Sequence, residues 1–163
     1  FHHGKGAIKM HTLMNLSGSI PTFVLLTPSK VNDARVMDKI PVEARSFYLM
    51  DKGYVAFEKL HRYFQQNGAY FVTRAKDNMV HEVLESRPVN KGSGVLSDQN
   101  IRLSGYYSSR KYPDTLRLAV YEDFETGKLF RFLTNNFSIE DPLTIAELYR
   151  ERWQIEFFFN WIK

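Results

Sequence analysis

The final sixteen residues, LYRERWQIEFFFNWIK, constrain the fold more than any other stretch of the chain. An α-helix advances about 100° per residue, so Tyr149, Arg152, Glu156 and Lys163 fall within a sector of roughly 60°. Trp153, Phe157, Phe158, Phe159 and Trp161 surround much of the rest. A helix that is apolar nearly all round belongs inside a protein, and charges carried there need specific partners. The remainder of the chain must therefore cover this helix and also bring something charged to its polar stripe.

Composition allows that. With 163 residues, 44% hydrophobic and 25% charged, the chain suits a folded protein of one or two units. No run of about 18 uncharged apolar residues exists, and the opening FHHGKG lacks a signal-peptide layout, so the expectation is an intracellular protein with no membrane partner. The absence of cysteine excludes a disulfide framework and a thiolate metal site. The chain starts without methionine and stops in mid-helix, which reads as part of a longer protein. Its net charge is +4, unevenly spread: residues 1–30 hold Lys5, Lys9, Lys30 and three histidines but no acid. A one-signed segment suits a phosphate backbone, and ordinary surface lysines would look the same.

Along the chain, AIKMHTLMNL and IPTFVLL read as a strand pair about the turn SGS. VNDARVMDKI reads as a helix capped by Asn32 or Asp33, FYLM as a strand, VAFEKLHRYFQQNG as a helix stopped by Gly68, and AYFVTRAKDN as a strand. From about Asp77 to Phe137, alternating runs (NIRLSGYYS, TLRLAVYED, KLFRFLTNN) are separated by turn signals, an all-β pattern. SIEDPLTIAELYRERW then starts a helix with Ser138 as the expected N-cap. The expected division is an α/β core over 1–76, a β-rich insertion over 77–137, and a helix returning to the core over 138–163.

Two carboxylates stand out. Asp51 follows the FYLM strand, at the sheet edge where ligands commonly bind, and Glu156 sits within the polar stripe. Carboxylates held by rigid elements far apart in sequence are what a two-metal phosphoryl-transfer site requires, although such a site needs a third. The structural alternatives are a helix cap for Asp51 and an i, i+4 ion pair of Arg152 with Glu156.

The spacing Y-x2-R-x3-E-x6-K of Tyr149, Arg152, Glu156 and Lys163 resembles the signature of bacterial insertion-sequence transposases of the DDE class. MDKGY resembles that family's second-aspartate motif, YFVTRAKDN its following strand, FHHGKGAIKMH its opening, and the β-rich stretch its insertion domain. The resemblance implies an RNase H-like mixed sheet flanked by helices and interrupted by an all-β insertion. It implies that Asp51 and Glu156 are catalytic metal ligands for two Mg²⁺ ions, with Mn²⁺ as a substitute. Tyr149, Arg152 and Lys163 would grip phosphates, and Arg74 and Lys76 would meet the DNA backbone, as would Lys5 and Lys9 of the basic opening. It further implies double-stranded DNA as partner, a homodimer in the synaptic complex, and cleavage through a hairpin intermediate followed by strand transfer. In two respects the chain departs from the pattern. The first catalytic aspartate is expected on a strand before Phe1, which would leave this chain inactive alone, and no tryptophan lies between Asp77 and Phe137 to stack on a flipped base, leaving Tyr106, Tyr107 and Tyr112 as candidates. The rival readings are an inactive remnant that binds DNA ends, an RNase H-like nuclease without strand transfer, and a small module with no nucleic-acid role.

Overall fold

The computed structural model describes residues 8–15, 20–28 and 30–162, with side chains over 30–152. Strands β1 (Ile8–Asn15) and β2 (Ile20–Pro28) form the expected antiparallel pair, a two-stranded sheet of its own. Six further strands make one mixed sheet: β3 (Phe47–Met50), β4 (Tyr70–Arg74), β5 (His81–Arg87), β6 (Val95–Leu103), β7 (Leu116–Glu122) and β8 (Leu129–Thr134), in the order β3-β4-β8-β7-β6-β5. Only β3 and β4 are parallel. The β-rich stretch after residue 77 is thus continuous with the α/β part, because β8 returns to pair with β4 through Val72↔Thr134 and its neighbours.

Side-chain alternation along these strands builds two faces, as a period of two requires. Tyr48, Phe71, Leu118 and Leu133 point into one cluster with Leu60, Phe64, Ile101 and Tyr112. Their strand neighbours Leu49, Val72, Ala119 and Phe132 point into another with Ile145, Ala146 and Tyr149. Helical segments cover the first face and the last helix covers the second, giving a layered α/β arrangement with flanking helices.

Local chemistry shapes those covers. The expected helix after Val31 is a 3₁₀ turn, Asp33–Lys39, with Asn32 as its cap: the side chain accepts from the Ala34 amide at 2.9 Å. It stops at Ile40 (φ −75°, ψ 127°), which Pro41 confines to extended backbone. Helix α1 (Phe57–Lys59) passes into a π-helical turn, Leu60–Gln65, and ends where Gly68 takes φ 68°. The expected strand NIRLSGYYS ends at Leu103, and Tyr106 and Tyr107 lead instead into a short helix, α2 (Ser108–Lys111).

Helix α3 (Leu143–Ile162) starts later than Ser138. Asp141 does the capping: its carboxylate accepts from the Leu143 amide at 2.9 Å, and Pro142 occupies a first-turn site that needs no donor. Ser138 instead gives its amide and hydroxyl to the Asn136 side chain, at 3.0 and 3.1 Å. Asn135 ties β8 to the start of β4, accepting from the Phe71 amide at 3.0 Å and donating to the Ala69 carbonyl at 2.9 Å. Deeper still, Arg117 and Asp98 form a fully buried forked pair, two bonds of 2.8 Å, and Arg117 also donates to the Ile139 carbonyl. The sheet thereby holds the lead-in of α3 from below.

Candidate active site

Asp51 stands where β3 ends, at the edge of the sheet reached by the adjacent end of β4. One carboxylate oxygen accepts from the Lys52 amide at 2.6 Å, capping the 3₁₀ turn Lys52–Tyr54, and from the Arg74 guanidinium at 3.1 Å. Its other oxygen accepts no hydrogen bond among the described residues. Burial pushes the Asp51 carboxyl up, but the Arg74 bond, the Lys52 amide and the charges of Arg152 and Arg74 outweigh it and hold the group below its ordinary value. It is therefore ionised at neutral pH, and 40% of its side chain is open to solvent.

Arg74 closes β4, with its guanidinium on Asp51 and its Nε buried without a hydrogen-bond partner. Burial disfavours its charge, while Asp51 and Tyr149 more than restore it. From α3, the Tyr149 ring lies 5.0 Å from Phe132 and is 1% exposed. The Arg152 guanidinium lies 5.2 Å over that ring. The Tyr149 hydroxyl is buried with no partner in hydrogen-bond geometry, although it lies in the fields of Arg152, Asp51 and Arg74. Burial dominates and raises its pKa. Residues from the ends of β3 and β4 and from one face of α3 thus converge at a single point.

Of the residues singled out in the sequence, Asp51, Arg74, Tyr149 and Arg152 come together. Lys76 is half-buried beyond the end of β4 and forms no side-chain pair with them. The Lys9 side chain, on β1, and that of Glu156, on α3, lie outside the described residues, as do Lys5 and Lys163. The α3 backbone does continue through Glu156, one turn beyond Arg152 on the same face. Tyr112 is fully buried and bonded to Gln65 at 2.9 Å, so it belongs to the core. Tyr106 and Tyr107 are 66% and 73% exposed, in edge contact at 4.9 Å, with Arg110 lying 4.4 Å over Tyr106.

Two neighbours were not anticipated. Tyr54, three residues after Asp51, has its pKa pushed up to about 12 by burial and by the charges of Asp33 and Asp51. Asp33 packs against Gly53, where an added Cβ would come within 3.1 Å of its carboxylate, so that the glycine of DKGY makes room for a second acid. The adjacency in DKGY was the available signal for Tyr54, whereas nothing local marks Asp33.

As half of a divalent-metal site, Asp51 fits: it is an ionised oxygen donor with one uncommitted oxygen. Among the described residues no group of three His, Cys, Asp or Glu could hold an ion, so the set would need ligands beyond them. Nor, among those residues, is any helix long and apolar enough to cross a membrane.

Residues 2–163 match the family described as "Transposase DDE domain". A protein of Sinorhizobium fredii named as a transposase, y4zB, is 33% identical over 160 residues, which is 96% of this chain and 44% of that protein. One of Geobacillus stearothermophilus, named as a transposase for insertion sequence element IS5377, is 27% identical over 100% of this chain and 42% of its own length. A Synechocystis protein, named for insertion sequence element IS4SA, is 24% identical over 96% of this chain and 43% of its own length. The chain spans less than half the length of these curated relatives. No solved structure matches it significantly.

Proposed function

The chain belongs to the transposase DDE-domain family of bacterial insertion sequences, and from that premise we propose that it carries catalytic residues of a cut-and-paste transposase that cleaves element ends and joins them to target DNA. The observation behind this reading is the convergence of Asp51, Arg74, Tyr149 and Arg152 from three separate elements.

In this reading Asp51 and Glu156 are the metal-binding carboxylates, with Mg²⁺ as the metal, or Mn²⁺ in its place. Bound as a pair, such ions activate an attacking oxygen and stabilise the leaving one. The first aspartate lies upstream. The edge of β3 away from β4, unpaired among the described residues, offers its strand a place beside Asp51. Residues 77–137 act as the insertion and 1–76 with 138–163 as the core.

The chain's own groups do the orienting. Arg74 keeps Asp51 charged and fixes its rotamer, leaving one carboxylate oxygen outward. Arg152 presents a planar fork to a phosphate, and Lys163 a point charge further along the same stripe. Tyr149 acts from beneath: too buried to meet DNA broadly, it supports Arg152 with its ring and lends its hydroxyl to the charged cluster. Lys5, Lys9 and Lys76 add contacts to the duplex backbone. Two copies would be needed to bring two element ends together.

The test is an excision and joining assay in the full-length protein, with DNA binding measured alongside. Asp51→Asn and Glu156→Gln should each lower nicking by about 10²-fold or more while duplex binding persists. Nicked but never joined product would mark a hydrolytic nuclease. Binding without nicking, equal in parent and variants, would mark an end-binding remnant and sink the catalytic reading.

A further inference from the structure

We propose that Asp33 is a positioning residue for Asp51, its carboxylate packed on Gly53 so as to fix the turn from which the Asp51 side chain is aimed. The inference rests on the transposase reading, in which Asp51 is a metal-binding carboxylate, and adds to it a residue from a separate element.

Gly53 supplies the first observation. Glycine is ordinarily needed where the backbone turns left-handed, but among the described residues the glycines with positive φ are Gly68, Gly94 and Gly127, and Gly53 is not one of them. What it lacks is room. A Cβ built there would stand 3.1 Å from Asp33 Oδ2, and the next two atoms in reach are Cγ and Cβ of the same side chain, at 3.9 and 4.0 Å. One side chain therefore occupies the space over this glycine, and it is a half-buried acid.

Asp33 is itself held. It opens the 3₁₀ turn Asp33–Lys39, which Asn32 caps and whose Val36 and Met37 are buried, so its backbone is anchored in the protein interior. Across the contact, Gly53 is the middle residue of the turn Lys52–Tyr54. Asp51 binds that turn twice: its carboxylate accepts from the Lys52 amide at 2.6 Å, and its carbonyl accepts from the Tyr54 amide at 3.0 Å. In a close-packed setting, a shift of Gly53 passes to the Lys52 amide beside it, then to the Asp51 rotamer and its bond to Arg74. Tyr54 marks the same proximity, because burial raises its pKa and the charges of Asp33 and Asp51 both add to the rise. Shape is what the contact demands of residue 33. Asparagine would keep the outline, whereas alanine would leave a void against Gly53. Placement matters steeply for a group that orients a reaction, since a displacement of about 1 Å can cost on the order of 10²-fold in rate.

The experiment follows single-turnover nicking, duplex affinity and denaturant unfolding in the full-length protein. The Arg74 Nε–H NMR signal is recorded alongside, without metal or DNA, and assigned through Arg74→Lys. Asp33→Ala should lower the nicking rate constant about tenfold and move the Arg74 signal, with duplex affinity and unfolding midpoint close to the parent's. Asp33→Asn should nick within about threefold of the parent and leave the signal in place. Gly53→Ala should lower nicking as Asp33→Ala does, because its methyl group meets the carboxylate. In the Asp33→Ala background, where the contact that remains is an ordinary one of 4.0 Å to Cβ, the same change should cost nothing further. Additive losses for the two changes, Asp33→Asn as damaging as Asp33→Ala, or an unmoved Arg74 signal in Asp33→Ala would each overturn the inference. If Asp51→Asn abolishes nicking while every variant at Asp33 and Gly53 nicks like the parent, the inference falls and the transposase reading stands. If Asp51→Asn nicks like the parent, both fall.

Discussion

Two arginine–aspartate pairs serve opposite ends in this molecule. Arg117 with Asp98 lies inside the sheet, 0% and 2% exposed, and every nitrogen of the guanidinium has a partner: Nε and Nη2 on Asp98, Nη1 on the Ile139 carbonyl. Arg74 with Asp51 lies at the sheet rim, 34% and 40% exposed, with a single bond between them, an unsatisfied Nε, and one carboxylate oxygen uncommitted. The first pair is saturated by the fold and therefore holds it together. The second keeps donors and acceptors in hand, which costs about 1–3 kcal/mol for each buried orphan and makes sense where a ligand completes the set.

That contrast is breakable by measurement. The largest expected effect is structural: Arg117→Ala should cost about 3–5 kcal/mol in denaturant unfolding, since it leaves a buried carboxylate alone and frees the lead-in of α3. A double change of Arg117→Met with Asp98→Leu should recover most of that loss, because apolar replacements remove the unpaired charge. By contrast, Arg74→Ala should cost under about 1 kcal/mol in stability, as half-exposed pairs do, yet weaken DNA binding on the order of tenfold. Equal stability losses at the two arginines would erase the distinction.

A smaller effect sharpens the picture of the rim. Burial raises the Tyr54 phenol from 10.0 to about 12, ahead of the contributions of Asp33 and Asp51. The folded state thus holds this proton more tightly than the unfolded chain. Stability from this group is fully present below pH 10 and declines as pH rises toward 12. Tyr54→Phe should flatten that decline in unfolding curves recorded across the range, and an unchanged slope would assign it to other groups.

Much of this was legible in advance because it is local. Period-two alternation marked β7 and β8, Gly68 marked the end of the π-helical turn, and Asn32 marked the cap of the 3₁₀ turn Asp33–Lys39. The misplaced features turned on competition between local groups. Ser138 looked like a cap until the Asn136 side chain took its amide and hydroxyl, leaving Asp141 to start α3. Tyr106 and Tyr107 looked like strand, but the ladder ends at Leu103 and both rings are exposed before α2. At the site, Asp51 was visible from its place after an apolar run, while Asp33 was not, because nothing near it in the chain distinguishes it from a surface charge.

The order of strands and helices, the polar stripe on the last helix, and membership of a transposase family were written in residue type and spacing, because helix and strand periods act over a few residues at a time. The return of β8 to β4 belongs to the tertiary structure alone, since strand pairing joins residues some sixty positions apart, as Val72↔Thr134 shows, with no short-range signal between them. That single pairing sets Arg131 beside Arg74 and makes one continuous sheet of two stretches whose compositions differ. It also decides which arginine is sealed in the sheet and which is left at its rim with a donor to spare.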